Sequence, residues 1–495
     1  MGTERLLEDV EGQRERLTDL ATDLWENPEV ALEEERAAGR LVDALREEGF
    51  DVEEGVADIP TAFVARYGDG DPTVGTIGEY DALPDLSQKR TARREPVEEG
   101  APGHGCGHNL FGVAALGGAV AVKRAIERGD VDGTVVYLGT PAEEGAVGKP
   151  FMIRAGAFDD VDAVVSWHPG RYTTPNTGSC LALDSIQFDF TGEASHAGAA
   201  PEAGRSALDA VQLANAGVEY MREHVPDAAR IHYSIEDAGA APNVVDPAAS
   251  VWYYVRAPDR AQVERITDWL RDIAEGAALM TGTSVEANFR GGTYDLLTND
   301  AIAGVIEEQM QEIGPIEFHD EAYEFAADLG ETLDDRPGAL AGLPEDTCEE
   351  VLASDLYADP LPAFDGDHVG SYSTDTGNVS YAVPVGHFTA ATWPVGTPAH
   401  SWQAVAAGGS SIGTGAAVYA AKVIAASVHE LMTDEDRLER AVAEFERETA
   451  GSGYEAPLPD DADPFDMVDS SVWVGRGSGT PTSPRTPVRG PPSAR

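Results

Sequence analysis

Apolar positions recur at helical spacing from the start of the chain. Leu6, Leu7, Val10, Leu17, Leu20 and Leu24 follow the helix start at Thr3, and a second amphipathic stretch runs to Glu48 and stops at Gly49. The period then shortens. The runs "TAFVARYG" and "TVGTIGEYDA" read as strands, a glycine-dense helix is predicted from Asn109 to Arg128, and "TVVYLGTPAEEG" and "DAVVSWHPG" resume as strands. Strands alternating with helices predict an α/β fold around a mostly parallel sheet, whose ligands sit at the carboxyl ends of the strands. Asp81, Glu143, Glu144 and His168 trail successive runs and therefore converge on one crevice.

From Leu181 the pattern changes to strand, helix, strand, strand, helix, strand: "SIQFDFTGE", Ser206 to Val225, "RIHYSIED", "SVWYYVRA", Gln262 to Met280 and "SVEANFRG". This βαββαβ unit suffices for a small antiparallel sheet with helices on one face, and it reads as an inserted α+β domain. The expected organisation is a first catalytic part over 1–180, the insertion over 181–296, a second catalytic part over 297–452, and a disordered tail over 453–495 rich in Pro, Gly, Ser and Arg. An acidic stretch from Glu317 to Asp367 reads as a long surface excursion, and a final helix carries the chain to Ala450. The apolar segment from Ala404 to Val428 is dense in Ala and Gly and broken by Lys422, so a buried helix is expected there rather than a membrane span.

Charge narrows the partners. Lys and Arg number 34 against 88 Asp and Glu, a formal net charge of -54 across 495 residues, which disfavours nucleic acid and anionic membranes. Lysine occurs only at positions 89, 123, 149 and 422, and the acids are spread along the whole chain, as in halophilic proteins kept soluble in salt. Three cysteines do not make a disulfide framework, and the first residues lack a basic and apolar leader pattern, so a cytoplasmic location is expected.

The chemistry concentrates in "APGHGCGHNL". Cys106 and His108 stand one residue apart at the mouth of a helix, between glycines that offer no packing partners, so a thiolate and an imidazole can reach one metal ion or two adjacent ones. "PAEEG" adds two adjacent carboxylates, Glu143 and Glu144, costly at the end of a buried strand unless a cation or proton satisfies them. "SWHPG" adds His168. Taken singly, these are also a core cysteine, a solvated acidic turn and a structural histidine; their order and shared end of the sheet make them a set. Neighbouring residues at a strand end point to opposite sides, so one Glu can ligate while the other serves as general base for amide hydrolysis.

The chain resembles the M20 amidohydrolases and peptidases, specifically the amidohydrolase branch that includes the aminobenzoyl-glutamate hydrolases. The phrases carrying the likeness are "GEYDALPDLSQ", "GAPGHGCGHNLFG", "TPAEEG", "WHPG", "ASHAGAAPEAGRSALDA", "APNVVDP", "STDTGNVS" and "TPAHSWQ". The resemblance implies a di-metal aminopeptidase-like catalytic domain carrying a ferredoxin-like lid and dimerisation domain. It implies two divalent ions, zinc or manganese, held by Cys106, His108, Glu144, His168 and His400, with Glu143 as base. His196 and Asn243 match residues that reach a partner's active site across a dimer; His196 also reads as an ordinary loop histidine, and His400 as a helix-capping one. Asp81 is expected to orient a ligand or the site rather than bind metal, and stands with Asn243 and Arg256 on the substrate side. Arg205 is a second carboxylate anchor to consider, His104 an outer supporting residue, and Asp375 has no assigned role. The implied substrates are small amides next to an amino-acid carboxylate: aminobenzoyl-glutamate, N-acyl amino acids or dipeptides. The implied assembly is a homodimer or a pair with a related chain. The competing reading is a non-catalytic binding component of such a pair, against which stands an intact base beside intact ligands.

Overall fold

The computed structural model describes residues 2–340, 342–364, 368–451 and 453–468. The first helical stretch is two helices, Gly2–Glu11 and Arg14–Glu26, followed by Glu35–Glu47, which ends at Gly49 in a left-handed turn with φ of 90°. The periodic leucines named above, apart from Leu7, all point into the core.

Strands β1 (Asp51–Glu54), β2 (Phe63–Tyr67), β3 (Thr73–Gly78), β4 (Thr134–Gly139), β5 (Ala163–Gly170) and β6 (Thr174–Asn176) precede the insertion. The insertion holds β7 (Ala182–Thr191), β8 (Ser195–His196), β9 (Arg230–Asp237), β10 (Val244–Val245), β11 (Ala248–Ala257) and β12 (Ser284–Thr293), and β13 (Val385–Ala391) returns to the first sheet. That sheet runs β1-β2-β4-β3-β5-β13-β6. Its centre, β4-β3-β5-β13, is parallel, and β1, β2 and β6 join antiparallel at the margins. Helices His108–Arg128 and Ser411–Thr433 pack on each other and on the sheet. Both are long and apolar enough to cross a membrane, but the apolar stretches are 89% and 78% buried, as core helices are.

The insertion forms a four-stranded antiparallel sheet ordered β12-β7-β11-β9, with helices Ala207–Met221 and Arg260–Thr281 on one face. The expected mostly parallel α/β sheet and βαββαβ insertion are both present. Each sheet has its own apolar cluster, one around Val135, Val164 and Ile424, the other around Ile186, Val251 and Leu270.

Two expectations need correction. The stretch from Glu317 is more than a surface excursion: it contains helices Asp320–Gly330 and Glu345–Leu352, whose Leu329 packs with Trp393 and Ala404, and whose Val351 packs with Val395. Its acids face outward while its sparse apolar residues cap the end of the sheet. The tail expected from 453 is docked as far as Val468, with Tyr454 against Tyr294, Met467 buried, and Arg154 donating to the Pro459 carbonyl. The remainder of that expectation lies outside the described residues. The long apolar segment is two helices, Trp402–Gly408 and Ser411–Thr433, divided at Ser410, whose hydroxyl accepts from the Ile412 amide.

Candidate metal centre

Each residue of the centre leaves the same end of the sheet. Glu79 and Asp81 follow β3, the turn 143–146 follows β4, His168 lies near the end of β5, and His400 sits between β13 and the helix starting at Trp402. The glycines around Cys106 admit close neighbours. Gly107 has φ of 82°, and a Cβ there would lie 2.9 Å from the Pro169 ring. A Cβ on Gly105 would lie 2.6 Å from Leu86 and 3.3 Å from the His400 Cα, and the His400 amide donates to the Gly105 carbonyl at 3.0 Å. Bare backbone on both sides lets loops from β5 and β13 close on the cysteine.

Glu143 and Glu144 stand on a tight turn beyond β4 rather than at the strand end expected for them. The turn holds Ala142 and Ala146 in the left-handed region, φ of 56° and 55°. Two buried carboxylates pin it: Glu34 accepts from the Ala142 amide at 2.9 Å, and Asp81 from the Glu144 amide at 2.9 Å. Burial pushes the Glu34 carboxyl up to about 8. The two glutamates diverge: Glu143 Oε2 lies 4.0 Å from His108 Nε2, and Glu144 Oε1 lies 3.5 Å from His400 Nε2.

The imidazoles are oriented by their far nitrogens. His108 Nδ1 lies 2.8 Å from Asp81 Oδ1, and His168 Nδ1 lies 2.7 Å from the Pro169 carbonyl, which places a hydrogen on each Nδ1; against its burial, Cys106 and Asp81 raise the His108 imidazole well above its ordinary range. Both Nε2 atoms then face inward, that of His168 to within 3.3 Å of Cys106 Sγ. Cys106, His108 and His168 place their donor atoms within 4.8 Å of one another; so do Cys106, Glu144 and His400, and so do Glu79, His108 and Glu143. Glu79 Oε2, His108 Nε2 and Glu144 Oε1 are buried without a hydrogen-bond partner. Burial and the carboxylates of Glu144 and Glu143 raise the Cys106 thiol, and burial raises the Glu144 carboxyl well above its ordinary range. Burial takes His168 well below the ordinary imidazole range. Deprotonated thiol and carboxylate, neutral imidazole and orphaned inward-facing atoms are the states a divalent cation stabilises, so the donor set fits metal.

The remaining residues separate by position. Asp81 is fully buried with one oxygen on His108 and the other on the Glu144 amide, so it has no oxygen left for substrate; it orients the centre. Residues 252, 254 and 256 alternate with the core residues of β11, so Arg256 and Tyr254 share the helix-free face of the insertion, the guanidinium 5.6 Å from the ring centroid. Charge is felt between that face and the centre: burial and, more weakly, Glu144 raise Tyr254, and burial, His108 and Arg256 lower His400. His196 and Asn243 meet each other instead, on the β8–β10 ribbon. The Ala197 amide donates to the Asn243 carbonyl, and His196 Nδ1 accepts from the Gly198 and Ala199 amides, leaving Nε2 to face outward. Arg205 is spent on the Glu202 and Gly204 carbonyls. His104 is buried and held down to about 3, beside the centre but outside the three donor groups.

Sequence reasoning missed Glu79, Lys149 and Arg171. Glu79 stands two residues before Asp81 in "GEYDALP", and Lys149 is one of only four lysines; both signals were present. Arg171, three residues after His168, is a largely buried guanidinium whose proton affinity burial lowers and Tyr172 and, less, Cys106 partly restore. Beside His400 a cavity of about 210 Å³ is bounded by Ser87, Gln88, Arg94, Glu98 and Trp402, so the 88–100 loop does border the centre.

Residues 75–351 match the sequence profile of peptidase family M20/M25/M40. One of the two p-aminobenzoyl-glutamate hydrolase subunits of Escherichia coli (strain K12) is 39% identical over 476 residues, 93% of this chain and 98% of that one. The Xaa-Arg dipeptidase of Mus musculus is 30% identical over 328 residues, 63% of this chain and 71% of that one. The crystal structure of an aminobenzoyl-glutamate utilization protein from Klebsiella pneumoniae superposes with a TM-score of 0.57 at 20% identity, over 83% of this chain and 98% of that one.

Proposed function

Because the chain belongs to peptidase family M20/M25/M40, we propose that this C–N hydrolase uses two divalent ions and Glu143 to cut an amide next to an amino-acid carboxylate. The observation that carries the reading is the divergence of Glu143 and Glu144 from one pinned turn, towards His108 and His400 respectively. Cys106, His108 and His168 would hold one ion and Cys106, Glu144 and His400 the other, with the thiolate common to both groups. Such ions polarise a scissile carbonyl and acidify the attacking water. Glu143 takes the proton from that water and returns it to the leaving amine. Asp81 keeps the His108 ring aimed inward, and Arg256 over Tyr254 offers a cation to the substrate carboxylate. Thiolate and imidazole suit zinc, and the carboxylate–imidazole set also suits manganese.

The substrate class rests on likeness to the aminobenzoyl-glutamate hydrolase relative, with aminobenzoyl-glutamate, N-acyl amino acids and dipeptides as its members. We assign the outward His196 Nε2 and exposed Asn243 to a partner's site, in a homodimer or a pair with a related chain. Support comes from their lack of any hydrogen bond to the centre and from the exposed Tyr233 and Ile235 on edge strand β9. Three free cysteines accord with a cytoplasmic location.

The test is hydrolysis of aminobenzoyl-glutamate, N-acetyl and N-benzoyl amino acids and dipeptides by protein purified in high salt and reloaded with manganese or zinc. Turnover of one class, abolished by chelator, is expected. Two bound ions with silence across the panel would move the reading to a binding component dependent on a related partner. Glu143→Ala is expected to keep its metal and its fold while losing about 10²–10⁴-fold in kcat; undiminished hydrolysis would assign the base elsewhere. Mixing Glu143→Ala with His196→Ala chains should restore activity in hybrids if His196 serves the partner's site.

A further inference from the structure

Lysine has nearly vanished from this chain, yet Lys149, on the helix Gly148–Arg154, is completely buried. Its ammonium lies 2.5 Å from Asp375 Oδ1 and 2.7 Å from Glu79 Oε1, and its backbone amide donates to Asp375 Oδ2 at 3.2 Å. The three side chains are each 1% exposed or less. Two ionised carboxylates around one ammonium would leave a surplus negative charge where no water can solvate it, an arrangement that costs several kcal/mol unless a proton or another cation completes it. The surplus can be located. Asp375 has both oxygens engaged by Lys149, whereas Glu79 has one: its Oε2 has no hydrogen-bond partner and lies 3.3 Å from His108 Nε2, which has none either. With the far side of the ring committed to Asp81, the inward nitrogen and the free Glu79 oxygen face each other, both buried and neither hydrogen-bonded. Glu143 Oε2 closes the same space, 4.0 Å from that nitrogen.

We propose that Glu79 is an additional donor of the metal centre, its Oε2 binding the ion held by His108 Nε2, and that Lys149 and Asp375 are positioning residues that fix its carboxylate. The assignment rests on the metal-dependent reading above and adds to it a second carboxylate, beside Glu143, facing His108 Nε2, and a function for Asp375. A purely structural ion triad would have no need to aim an unpaired oxygen at an oriented imidazole. Lys149 holds Oε1 so that the carboxylate cannot rotate to pair both oxygens elsewhere, and Asp375 holds Lys149 from the other side.

The test is titration of the full-length apoprotein with cobalt(II), followed by its visible absorption bands and by metal content after dialysis. Wild type should take up cobalt and show thiolate-to-metal absorption from Cys106. Glu79→Gln keeps the shape and the Lys149 hydrogen bond but removes the charge; it should weaken cobalt binding about 10–100-fold and shift the ligand-field bands. Glu79→Asp should recover part of the affinity, and it serves as the second variant if Glu79→Gln does not fold. Lys149→Met and Asp375→Asn should weaken binding in the same direction, by less than Glu79→Gln. An unchanged affinity and spectrum in folded Glu79→Gln, even with a lower melting temperature, would overturn the inference and leave a structural triad. Failure of the wild type to bind cobalt, zinc or manganese would instead bring down the metal-centre reading, a result separable from loss in the variant alone.

Discussion

Replacing Glu144 by Ala takes the one carboxylate from beside His400 and Cys106, whereas replacing Glu143 leaves that donor group complete. Glu144→Ala is therefore expected to lower the metal bound per chain, measured by elemental analysis after dialysis, where Glu143→Ala does not. Two identical side chains at adjacent positions thus separate by what the turn points them at. His387 gives a pH prediction for the apoprotein. Burial, helped by the Lys149 cation, holds its pKa down to about 4, against roughly 6.5 in an unfolded chain. The unfolded state therefore binds a proton that the folded state refuses between those values. Stability should fall as pH drops from about 6.5 to about 4, by up to about 3 kcal/mol. Chemical denaturation across that window should show a flatter profile for His387→Gln; an equal slope would place the acid sensitivity elsewhere. Cys106, His108, Glu143, Glu144 and His168 were singled out because they stand in short polar interruptions of apolar runs, whereas His400 came only from the family resemblance. Glu79 and Lys149 left a signal, in "GEYDALP" and in the scarcity of lysine, but not what they face, and His387 left none; only the fold reveals their partners.

At the level of elements, the mouth of the helix His108–Arg128 depends on one backbone conformation. Gly107→Ala would place a Cβ 2.9 Å from Pro169 at φ of 82°, costing about 1–2 kcal/mol for the left-handed conformation alone and more for the contact. The variant should melt lower and bind metal more weakly, since the displaced loop carries Cys106; a normal metal titration in a destabilised variant would separate the two effects. Strands β2 to β5 and the inserted unit were readable from periodicity, since each is a continuous apolar or alternating run. Strand β13 was not recognised: "VGHFTAA" contains Gly386 and His387, and its partner β5 is more than two hundred residues earlier. The turn at 143–146 was read only as the bland alternative, a solvated acidic turn, because what pins its left-handed alanines, Glu34 and Asp81, comes from distant segments. The two helices within the acidic stretch after Glu317 were hidden by their charge, although a few apolar residues on one side were enough to dock them.

Across the whole molecule, 34 basic residues can neutralise fewer than half of 88 acidic ones. Long-range repulsion therefore remains after every ion pair is formed. Raising monovalent salt from ~0.1 M to ~1 M shortens the screening length from about 10 Å to about 3 Å, so the melting temperature should rise across that range. A fall would mean that ion pairs such as Arg260–Asp184 outweigh the net repulsion. The division into two cores was legible where the pattern changed near Leu181, but the relation of the insertion to the catalytic crevice was not. It depends on which face of β11 carries Arg256, and on the bulge near Gly291 that rests against the 143–146 turn. The way the insertion is attached has a further consequence. The chain leaves the catalytic sheet into β7 and comes back through β12, and Leu183 pairs directly with Thr293. Departure and return are rungs of one ladder, about 5 Å apart. The insertion is thus a cassette on a two-strand stem: over a hundred residues hang between two points that a single tight turn could bridge, while the loops carrying the candidate metal donors belong to the catalytic scaffold.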